Sequence, residues 1–240
     1  MAKRAAIVTG ASSGIGFAIA RGLGQEGFAV TCVARRPDKL EAAVAILADE
    51  GFEVEAVAAD VASEEAISEV VVRHRERHGR LDVLVNNAGV GFGAPIEEYL
   101  TKRLDMQLEV NLRSIVIFYR ECFALLAAAG AEHRNAWVVN TASIAGKSGQ
   151  PWLSVYSATK HAVVGFTQAM NKELSGRGIK SCALCPGFVD TPMTDFVKDS
   201  VPPEEMIAPE DIAAGVRYLL RLSPACIVPE LMFIRAGESS

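Results

Sequence analysis

Tyr156 and Lys160 are the two residues of this 240-residue chain whose types and spacing could together do chemistry. They stand four apart in residues 154–160 (SVYSATK), which open an apolar run typical of a helix. On a helix this spacing puts both side chains on one face, about 5–6 Å apart at their Cβ atoms. An ammonium beside a phenol, helped by a second positive centre, would lower the phenol pKa from about 10 towards neutrality and allow proton transfer. The alternative is an ordinary helix that carries a Tyr and a Lys four apart.

A glycine-rich turn lies near the start of the chain, where residues 9–16 read TGASSGIG. It joins a short apolar run to an amphipathic one, so we expect it to connect the first strand to the first helix. The spacing is GxxxGxG, whereas the usual dinucleotide fingerprint is GxGxxG. Glycines permit a tight turn and a close approach, and the N–H groups of a helix N-terminus can bind a pyrophosphate. The alternative is a glycine-rich turn that binds no ligand.

Strand-like apolar runs alternate with helix-like amphipathic runs along the chain, which predicts an α/β fold with a parallel sheet. The predicted strands are residues 5–9, 29–34, 53–58, 83–86, 136–141, 180–184 and, more weakly, 231–235, and the helices begin near Gly14, Pro37, Ser63, Ile96, Trp152 and Pro209. Right-handed crossovers would place these helices on both faces of the sheet, with ligands at the carboxyl ends of the strands.

Composition and charge argue against several classes of partner. The chain has 24 Lys and Arg against 29 Asp and Glu, a formal net charge of −5, so nothing favours nucleic acid or an anionic membrane. The sequence shows no secretory leader and no unbroken apolar segment of the ~18 residues that a membrane span needs. We therefore expect a cytoplasmic protein that acts on a small molecule.

The cysteines and histidines predict no metal site. Five cysteines are an odd number, which fits reduced thiols in a cytoplasm. Cys182 and Cys185 have the spacing of redox and zinc sites, but they fall in a predicted buried strand, where positions three apart point to opposite faces. We interpret both as core residues. His74 and His78 lie in the charged run of residues 73–80, which we expect to be a solvated helix face.

The order of the motifs resembles the short-chain dehydrogenase/reductase family over most of the chain. The glycine-rich turn is followed by Asn86-Asn87-Ala88-Gly89, then Asn111, Ser143, residues 156–160 (YSATK) and residues 186–191 (PGFVDT). The resemblance implies one domain over residues 1–240, a doubly wound Rossmann fold with about seven parallel strands in the order 3-2-1-4-5-6-7. Residues 228–236 (VPELMFIRA) lack the Asp-Gly-Gly strand of many relatives and resemble the shorter-tailed NADP-dependent alcohol and hydroxy-acid dehydrogenase branch.

The resemblance implies four catalytic positions. Tyr156 would be the proton donor in carbonyl reduction. Lys160 would hydrogen-bond the nicotinamide ribose and lower the pKa of Tyr156, with the oxidised nicotinamide as the second positive centre. Ser143 would donate a hydrogen bond to the substrate oxygen, unless it is an ordinary serine of a strand-end turn. Asn111 would hold a water that links Lys160 to solvent, and without the family we would interpret it as a helix irregularity.

The resemblance also implies a nicotinamide dinucleotide, with NADP(H) preferred over NAD(H). NAD-using relatives place an Asp at the position of Ala34, where it binds the ribose hydroxyls and would repel a 2′-phosphate. The next residue, Arg35, could bind that phosphate, unless it or Arg36 is a solvated loop charge. Asp60 matches the adenine-binding position, although an Asp at a strand end is also a common N-cap. The predicted cofactor contacts are Gly10, Ser12, Ser13, Gly14, Ile15, Arg35, Arg36, Asp60, Val61, Asn87, Ala88, Gly89, Tyr156, Lys160, Pro186, Gly187, Val189 and Thr191.

Three segments are candidates to form the substrate pocket, namely residues 90–95, residues 146–153 and a lid-like stretch at residues 192–208. The candidate pocket side chains are Phe92, Trp152, Phe188, Met193 and Phe196. They favour an apolar or aromatic carbonyl compound, although apolar lids also simply pack shut.

We therefore predict an NADP(H)-dependent carbonyl reductase or alcohol dehydrogenase that transfers hydride between the nicotinamide and a carbonyl or hydroxyl carbon. One alternative is a non-catalytic NADP(H)-sensing binding protein of the same fold, although a sensor needs no acid at Tyr156. Another is an epimerase or dehydratase, which would usually extend the chain, whereas only about 50 residues follow Thr191.

Apolar residues on two long helices predict a homodimer or homotetramer. They are Ile115, Ile117 and Leu125 on one helix and Val163, Phe166 and Met170 on the other. In relatives these helices pair across a two-fold axis, and unpaired stripes would leave apolar patches in water. The alternative is that both stripes belong to the internal core.

Overall fold

Seven parallel strands form one sheet in the computed structural model, which describes residues 3–237. The strands are β1 (Ala5–Thr9), β2 (Ala29–Ala34), β3 (Val54–Ala58), β4 (Val83–Asn86), β5 (Ala136–Thr141), β6 (Ile179–Pro186) and β7 (Glu230–Phe233). Their order is β3-β2-β1-β4-β5-β6-β7, which confirms the predicted fold. The winding reverses between β1 and β4, so a crevice opens at the carboxyl ends of these two strands.

Between residues 3 and 237, seven α-helices cover both faces of the sheet. They are α1 (Gly14–Gln25), α2 (Pro37–Asp49), α3 (Glu64–His78), α4 (Thr101–Leu108), α5 (Ser114–His133), α6 (Ser154–Leu174) and α7 (Pro209–Leu220). A π-helical turn, Glu109–Arg113, joins α4 directly to α5. Helices α3, α5 and α6 pack on one face, and α1, α2 and α7 pack on the other.

Alternating strand residues build two hydrophobic clusters, one on each face of the sheet. Ile7 of β1 belongs to the cluster under α3, α5 and α6, and the next residue, Val8, belongs to the opposite cluster. Cys185 and Cys182 of β6 divide in the same way, and both are fully buried. This confirms the interpretation of the CxxC spacing as two core cysteines.

Two helix starts differ from the prediction. The helix expected near Ile96 begins at Thr101, because the single 3-10 turn Ile96–Glu98 gives way to extended backbone at Tyr99. A tertiary contact accounts for this break, since the Tyr99 hydroxyl donates to the carbonyl of Phe92 over 3.2 Å. The helix expected near Trp152 begins at Ser154, because Trp152 adopts a positive φ of +67°. The remaining boundaries lie within two residues of those predicted.

The expectation of a solvated face for the histidines of α3 is wrong. His74 is fully buried, with its Nδ1 2.8 Å from the Thr31 hydroxyl and its Nε2 2.9 Å from the carbonyl oxygen of Arg80. The His78 side chain is also largely buried, 3.8 Å from the carboxylate of Glu55. The physical reason is that β2 and β3 offer polar partners beneath α3. Burial lowers the pKa of His74 to about 4, so the imidazole is neutral at neutral pH.

The predicted apolar stripes lie largely inside the protein. Ile115, Ile117 and Val163 are buried core residues, so the prediction that they face a partner is wrong, and the internal-core interpretation holds for them. The other three stripe residues, Leu125, Phe166 and Met170, are partly buried against the same core. The stripes point inward because α5 and α6 lie directly on the sheet.

In the described part of the chain, one helical stretch, Thr101–His133, is long and apolar enough to cross a membrane by length and composition. Half of its most apolar window is buried inside the protein, and the core helix of a soluble protein passes the same test. The stretch is therefore weak grounds for a membrane span.

Candidate active site

The glycine-rich turn forms a bare backbone surface at the carboxyl end of β1. Gly10 and Gly14 adopt positive φ angles of +67° and +53°, which favour glycine. A Cβ added to Gly16 would lie 2.3 Å from the carbonyl oxygen of Gly10, and one added to Gly14 would lie 2.9 Å from Cγ2 of Thr191. The turn therefore needs its glycines at these three positions.

The N-terminus of α1 is free to receive an anion. Ser13 stands at the N-cap with extended backbone, but its side chain makes no capping hydrogen bond, and the first turn carries no acidic residue. The first helical bond runs from the Phe17 amide to the Ser13 carbonyl, so the preceding amides have no partner within the helix. These amides and the helix dipole suit a pyrophosphate, so the residues present fit a dinucleotide.

The Thr9 hydroxyl joins the glycine-rich turn to the segment after β4. It accepts hydrogen bonds from the amides of Asn87 and Ala88, each 2.9 Å long. The Asn87 side chain donates to the Thr9 carbonyl over 3.1 Å and accepts from the Thr141 hydroxyl over 3.2 Å. The carboxyl ends of β1, β4 and β5 are thus tied together. Neither Thr9 nor Thr141 is among the predicted site residues, although both end a predicted strand.

The candidate adenosine contacts lie together where β2 and β3 end. Ala34 pairs with Ala58, and the two strand ends carry Arg35 and Asp60 to the same edge. Both Arg35 and Arg36 are exposed, and within residues 3–237 neither makes an ion pair or side-chain hydrogen bond. Their guanidinium groups are therefore available to an anionic ligand.

The capping interpretation of Asp60 is wrong. Its carboxylate accepts from the Ala62 amide over 3.0 Å, whereas the N-cap of α3 is Ser63, whose hydroxyl accepts from the Ala66 amide. Asp60 is exposed at the edge, and the adjacent Val61 is buried, so Val61 can offer only its backbone.

Lys160 is held beside Tyr156 on the first two turns of α6. Its ammonium donates a 2.7 Å hydrogen bond to the Thr141 carbonyl and lies 5.6 Å from the centroid of the Tyr156 ring. The side chain is buried, and this desolvation lowers the pKa of Lys160 to about 8. The amine is therefore mostly charged at neutral pH but close to its titration range.

The spacing of Tyr156 and Lys160 does not lower the phenol pKa in the protein by itself. Burial raises the pKa of Tyr156, and a hydrogen bond with Ser143 opposes that rise without cancelling it. The lysine alone therefore does not lower the phenol pKa, and the depression expected with the oxidised nicotinamide as the second positive centre stays a prediction. The physical reason is that Lys160 directs its ammonium at the Thr141 carbonyl rather than at the phenol oxygen. The protonated phenol is the favoured form at neutral pH.

Ser143 stands at the end of β5, as predicted, and is half-buried. Its hydroxyl accepts a hydrogen bond from the Ala145 amide over 3.1 Å and donates one to the Pro186 carbonyl over 3.4 Å. A hydrogen bond between the same hydroxyl and the Tyr156 phenol offsets part of the rise that burial causes in the pKa of Tyr156. A substrate oxygen near Tyr156 would therefore also lie near Ser143.

Asn111 lies in the π-helical turn between α4 and α5, which explains why it interrupts a helical pattern. It is fully buried and bonds both backbone groups of Val90, accepting from the amide over 2.8 Å and donating to the carbonyl over 2.9 Å. It also donates to the Thr159 hydroxyl over 3.1 Å. Asn111 thus fixes the segment after β4 against α6.

Gly89 keeps the space between Asn111 and Lys160 open. A Cβ placed on Gly89 would lie 3.5 Å from Oδ1 of Asn111 and 3.6 Å from Nζ of Lys160. The two polar groups therefore border one gap that carries no side chain. This arrangement is compatible with the water that the family resemblance implies at Asn111.

The remaining predicted cofactor residues follow β6. Val189 is buried, so it can offer only its backbone, while Gly187 donates its amide to the Phe233 carbonyl over 2.8 Å. Thr191 contacts the glycine-rich turn through Gly14 and begins the 3-10 helix Pro192–Val197. The segment after β6 and the turn after β1 thus border the same crevice.

The five candidate pocket residues differ in their solvent exposure and in their contacts with other side chains. Trp152, Met193 and Phe196 are at least half exposed, and the Trp152 and Phe196 rings lie 6.2 Å apart between centroids. Phe188 is half-buried. The Arg103 guanidinium lies over the Phe92 ring, 5.6 Å from its centroid. The Phe92 amide donates to the side chain of Gln107. Gln107 is fully buried and is a residue that sequence reasoning missed.

Two lysines near the pocket are already neutralised. Lys147 pairs with Glu230 at 2.6 Å, and Lys198 pairs with Asp190 and Asp195, each at 2.8 Å.

Among residues 3–237, no group of three or more His, Cys, Asp or Glu side chains is placed to hold a metal ion.

Comparison with known proteins places this chain in a family. A sequence model described as short chain dehydrogenase matches residues 4–201. The chain is 36% identical over 190 residues to a 3beta-hydroxysteroid dehydrogenase of Mediterraneibacter gnavus, covering 79% of this chain and 67% of that protein.

Two solved structures match nearly the whole chain. A variant of actinorhodin polyketide ketoreductase with NADPH has a TM-score of 0.87 and 35% identity, covering 97% of each chain. A 3-ketoacyl-(acyl-carrier-protein) reductase from Brucella melitensis complexed with NADH has a TM-score of 0.88 and 28% identity, covering 98% of each chain. The fold and these matches define an oxidoreductase of Rossmann architecture. The chain belongs to the short-chain dehydrogenase/reductase family.

Proposed function

We propose that this protein is an NADP(H)-dependent carbonyl reductase, or alcohol dehydrogenase in the reverse direction, with Tyr156 as the proton donor. The observation that carries the proposal is the hydrogen bond between Tyr156 and Ser143, with the Lys160 ammonium 5.6 Å from the centroid of the Tyr156 ring. NADP(H), when bound, would supply or accept hydride at the substrate carbon. Every other part of the reaction would fall to residues of the chain.

Tyr156 would deliver the proton to the carbonyl oxygen. Because burial raises the pKa of this phenol, it carries its proton at neutral pH, which suits reduction. Ser143 would donate a second hydrogen bond to the same oxygen as negative charge develops there. The proton would be replaced from solvent through Lys160 and the gap beside Gly89 and Asn111.

The cofactor would lie across the carboxyl ends of the strands. The uncapped N-terminus of α1 suits the pyrophosphate, and the exposed edge at Asp60 suits the adenine. Lys160 would hold the nicotinamide ribose, while the backbone of residues 186–191 would border the nicotinamide. Glycine at position 89 would let the backbone of residues 87–89 approach the adenosine ribose closely.

The preference for NADP(H) is supported by Arg35 and Arg36. Both guanidinium groups are exposed, have no partner in residues 3–237 and lie at the strand edge where the adenosine ribose would bind. Ala34 has no carboxylate, so this position neither binds the ribose hydroxyls nor repels a 2′-phosphate. The solved relatives differ in cofactor, since one is described with NADPH and another with NADH.

An uncharged, apolar or aromatic carbonyl compound would be the substrate. Lys147 and Lys198 are held in ion pairs with acidic side chains, so they offer little to a carboxylate or phosphate. The half-exposed side chains of Trp152, Met193 and Phe196 supply apolar surface instead. Relatives described as a hydroxysteroid dehydrogenase and a polyketide ketoreductase also support a carbonyl or alcohol substrate.

The test is NADPH oxidation measured against ketones, aldehydes, diketones, quinones and 3-oxoacyl thioesters. We expect turnover with at least one uncharged carbonyl class in the wild-type protein and none with Tyr156→Phe. NADPH binding without turnover across the panel would instead favour a binding protein, and failure to bind either cofactor would contradict the proposal.

A further inference from the structure

The turn before α6 holds a tryptophan in a backbone conformation that ordinarily belongs to glycine. Residues 150–153 form a four-residue turn closed by a 3.2 Å bond from the Leu153 amide to the Gln150 carbonyl. Pro151 occupies its second position, and Trp152 occupies the third with φ +67°. A bulky aromatic residue rarely adopts a positive φ, whereas glycine or asparagine is usual at this position.

Neighbouring hydrogen bonds fix this strained turn in place. The Gln150 amide donates to the Ser157 hydroxyl over 3.1 Å, which anchors the turn to α6. The Trp152 carbonyl accepts from the Ala94 amide over 3.0 Å, which anchors it to the segment after β4. Strain that the surroundings hold in this way is commonly found at functional sites.

Gly93 provides the surface on which the Trp152 indole lies. A Cβ on Gly93 would fall 2.3 Å from Cε3 and 2.5 Å from Cδ2 of that indole, so only glycine leaves room for it. Two residues earlier, a Cβ on Gly91 would lie 3.5 Å from the Tyr156 ring. Positions two apart along a chain are separated by at most about 7 Å. The indole and the phenol therefore lie against the same segment, at positions two residues apart.

The rest of the indole is open. Trp152 is 52% exposed, and the nearby Phe196 is 60% exposed, with an angle of 49° between their ring planes and 6.2 Å between their centroids. The tilted contact therefore leaves more than half of each residue exposed, and both offer apolar surface. Phe92 is less suited to this role, because Arg103 already covers its ring.

We propose that Trp152 and Phe196 form an aromatic clamp that selects flat, uncharged ketones with an aromatic or fused-ring body. The inference rests on the proposed function and names its substrate class. A flat ring system could stack on the indole while Phe196 meets its face or edge, since aromatic pairs favour such offset and tilted contacts. The ion pairs of Lys147 and Lys198 leave little attraction for an acidic substrate at this position.

The clamp is tested with two methyl ketones, 2-acetonaphthone and cyclohexyl methyl ketone, of which only the first has a flat body. We expect Trp152→Ala to lower kcat/KM for 2-acetonaphthone by about tenfold while cyclohexyl methyl ketone changes by less than about threefold. Trp152→Phe should recover part of the selectivity, and Gly93→Ala should reduce it by displacing the indole. Tyr218→Ala, at an exposed aromatic of α7, is the matched control.

A stability measurement separates the clamp from general damage. Trp152→Gly should lose the selectivity as Trp152→Ala does, but unfold at a higher temperature than Trp152→Ala, because glycine accepts φ +67° without strain. Equal effects of Trp152→Ala on both ketones would overturn the clamp.

Binding distinguishes failure of the clamp from failure of the proposed function. If the wild type reduces neither ketone, saturation-transfer NMR with 2-acetonaphthone decides the question. Transfer to the naphthyl protons that Trp152→Ala abolishes would support the clamp as a ring-binding site in a protein without this activity. No transfer in the wild type, or transfer that survives in Trp152→Ala, would refute it.

Discussion

The ammonium of Lys160 donates to the carbonyl oxygen of Thr141 over 2.7 Å, so the lysine is fixed by β5 rather than by the phenol beside it. This bond holds the charge at the end of the strand while leaving two of the three ammonium hydrogens for other partners. Lys160 is therefore better placed to bind a ribose and to relay a proton than to shift the pKa of Tyr156 by direct contact.

Replacing Tyr156 by Phe should remove the proton donor without loosening the cofactor. We expect kcat for ketone reduction to fall by at least about 100-fold, the usual contribution of a general acid, while NADPH affinity stays within a few-fold. Steady-state rates and fluorescence titration with NADPH measure the two effects. Tyr218→Phe, at an exposed tyrosine of α7, is the control. Wild-type kcat in the Tyr156→Phe variant would exclude Tyr156 as the acid.

Removing the Arg35 guanidinium should weaken NADPH specifically. A charge-assisted hydrogen bond contributes about 1.5–3 kcal/mol, so Arg35→Ala should raise the Kd for NADPH roughly ten- to hundredfold and leave NADH nearly unchanged. Ala34→Asp should move the preference towards NADH, because a carboxylate repels the 2′-phosphate. Arg75→Ala, at an exposed arginine of α3, is the control. A wild-type enzyme equally tight and fast with NADH would disprove the NADP(H) preference.

The titration of Lys160 should limit the reaction at alkaline pH. Desolvation lowers its pKa to about 8, so the ammonium is lost as pH rises through that value. We expect kcat/KM for NADPH to decline above about pH 8, since a neutral amine binds the ribose less strongly. The Lys160→Arg side chain keeps its charge at this pH, so the decline in kcat/KM should move to higher pH, even if the maximum rate of the variant is lower. A wild-type profile that stays flat well above this pH would argue against the assignment.

Buried His74 should make the protein less stable in mild acid. Its folded pKa of about 4 lies below the unfolded value of 6.5, so the unfolded chain binds more protons between these values. The free energy of unfolding should be highest above pH 6.5 and fall by about 3 kcal/mol as pH drops to about 4. Urea unfolding of the wild type and His74→Gln at several pH values measures this loss.

The stability of His74→Gln should depend less on pH in that window than the stability of the wild type. His161→Gln, at an exposed histidine of α6, controls for the change of residue type. Parallel slopes for the wild type and His74→Gln would show that His74 does not carry the effect.

Self-association through α4, α5 and α6 remains a prediction. Three stripe residues lie in the core, but Leu108 and Val116 on the outer side of α4 and α5 are 42% and 44% exposed. We expect light scattering at micromolar concentration to report at least a dimer, and Val116→Glu to lower the mass. The control Ile46→Glu, at a similarly exposed position of α2, should leave the mass unchanged. A monomeric wild type would contradict this expectation.

The alternation of strands and helices was predictable because each apolar run is short and is followed by an amphipathic helix, whereas the order of the strands followed from the family resemblance. The strand ends located most of the motif residues, and the family resemblance supplied their expected roles. The burial of His74 was not predictable, because its charged neighbours in the sequence hide the Thr31 hydroxyl and the Arg80 carbonyl that it meets in the fold. The pKa of Tyr156 depends on where the Lys160 ammonium points, and spacing along a helix leaves that direction open.

The Thr9 hydroxyl accepts hydrogen bonds from the amides of Asn87 and Ala88. Because this part of the chain is already ordered, it has little conformational entropy left to lose when a ligand binds. With the ends of β1, β4 and β5 joined by hydrogen bonds, the cofactor side of the crevice is preorganised. Residues 192–208, by contrast, consist of two short 3-10 helices and connections that are exposed or half-buried except at Met206 and Ile207. The ordering cost of substrate binding would fall there, so amide hydrogen exchange should slow at residues 192–208 when a ternary complex forms, and hardly change at the strand ends.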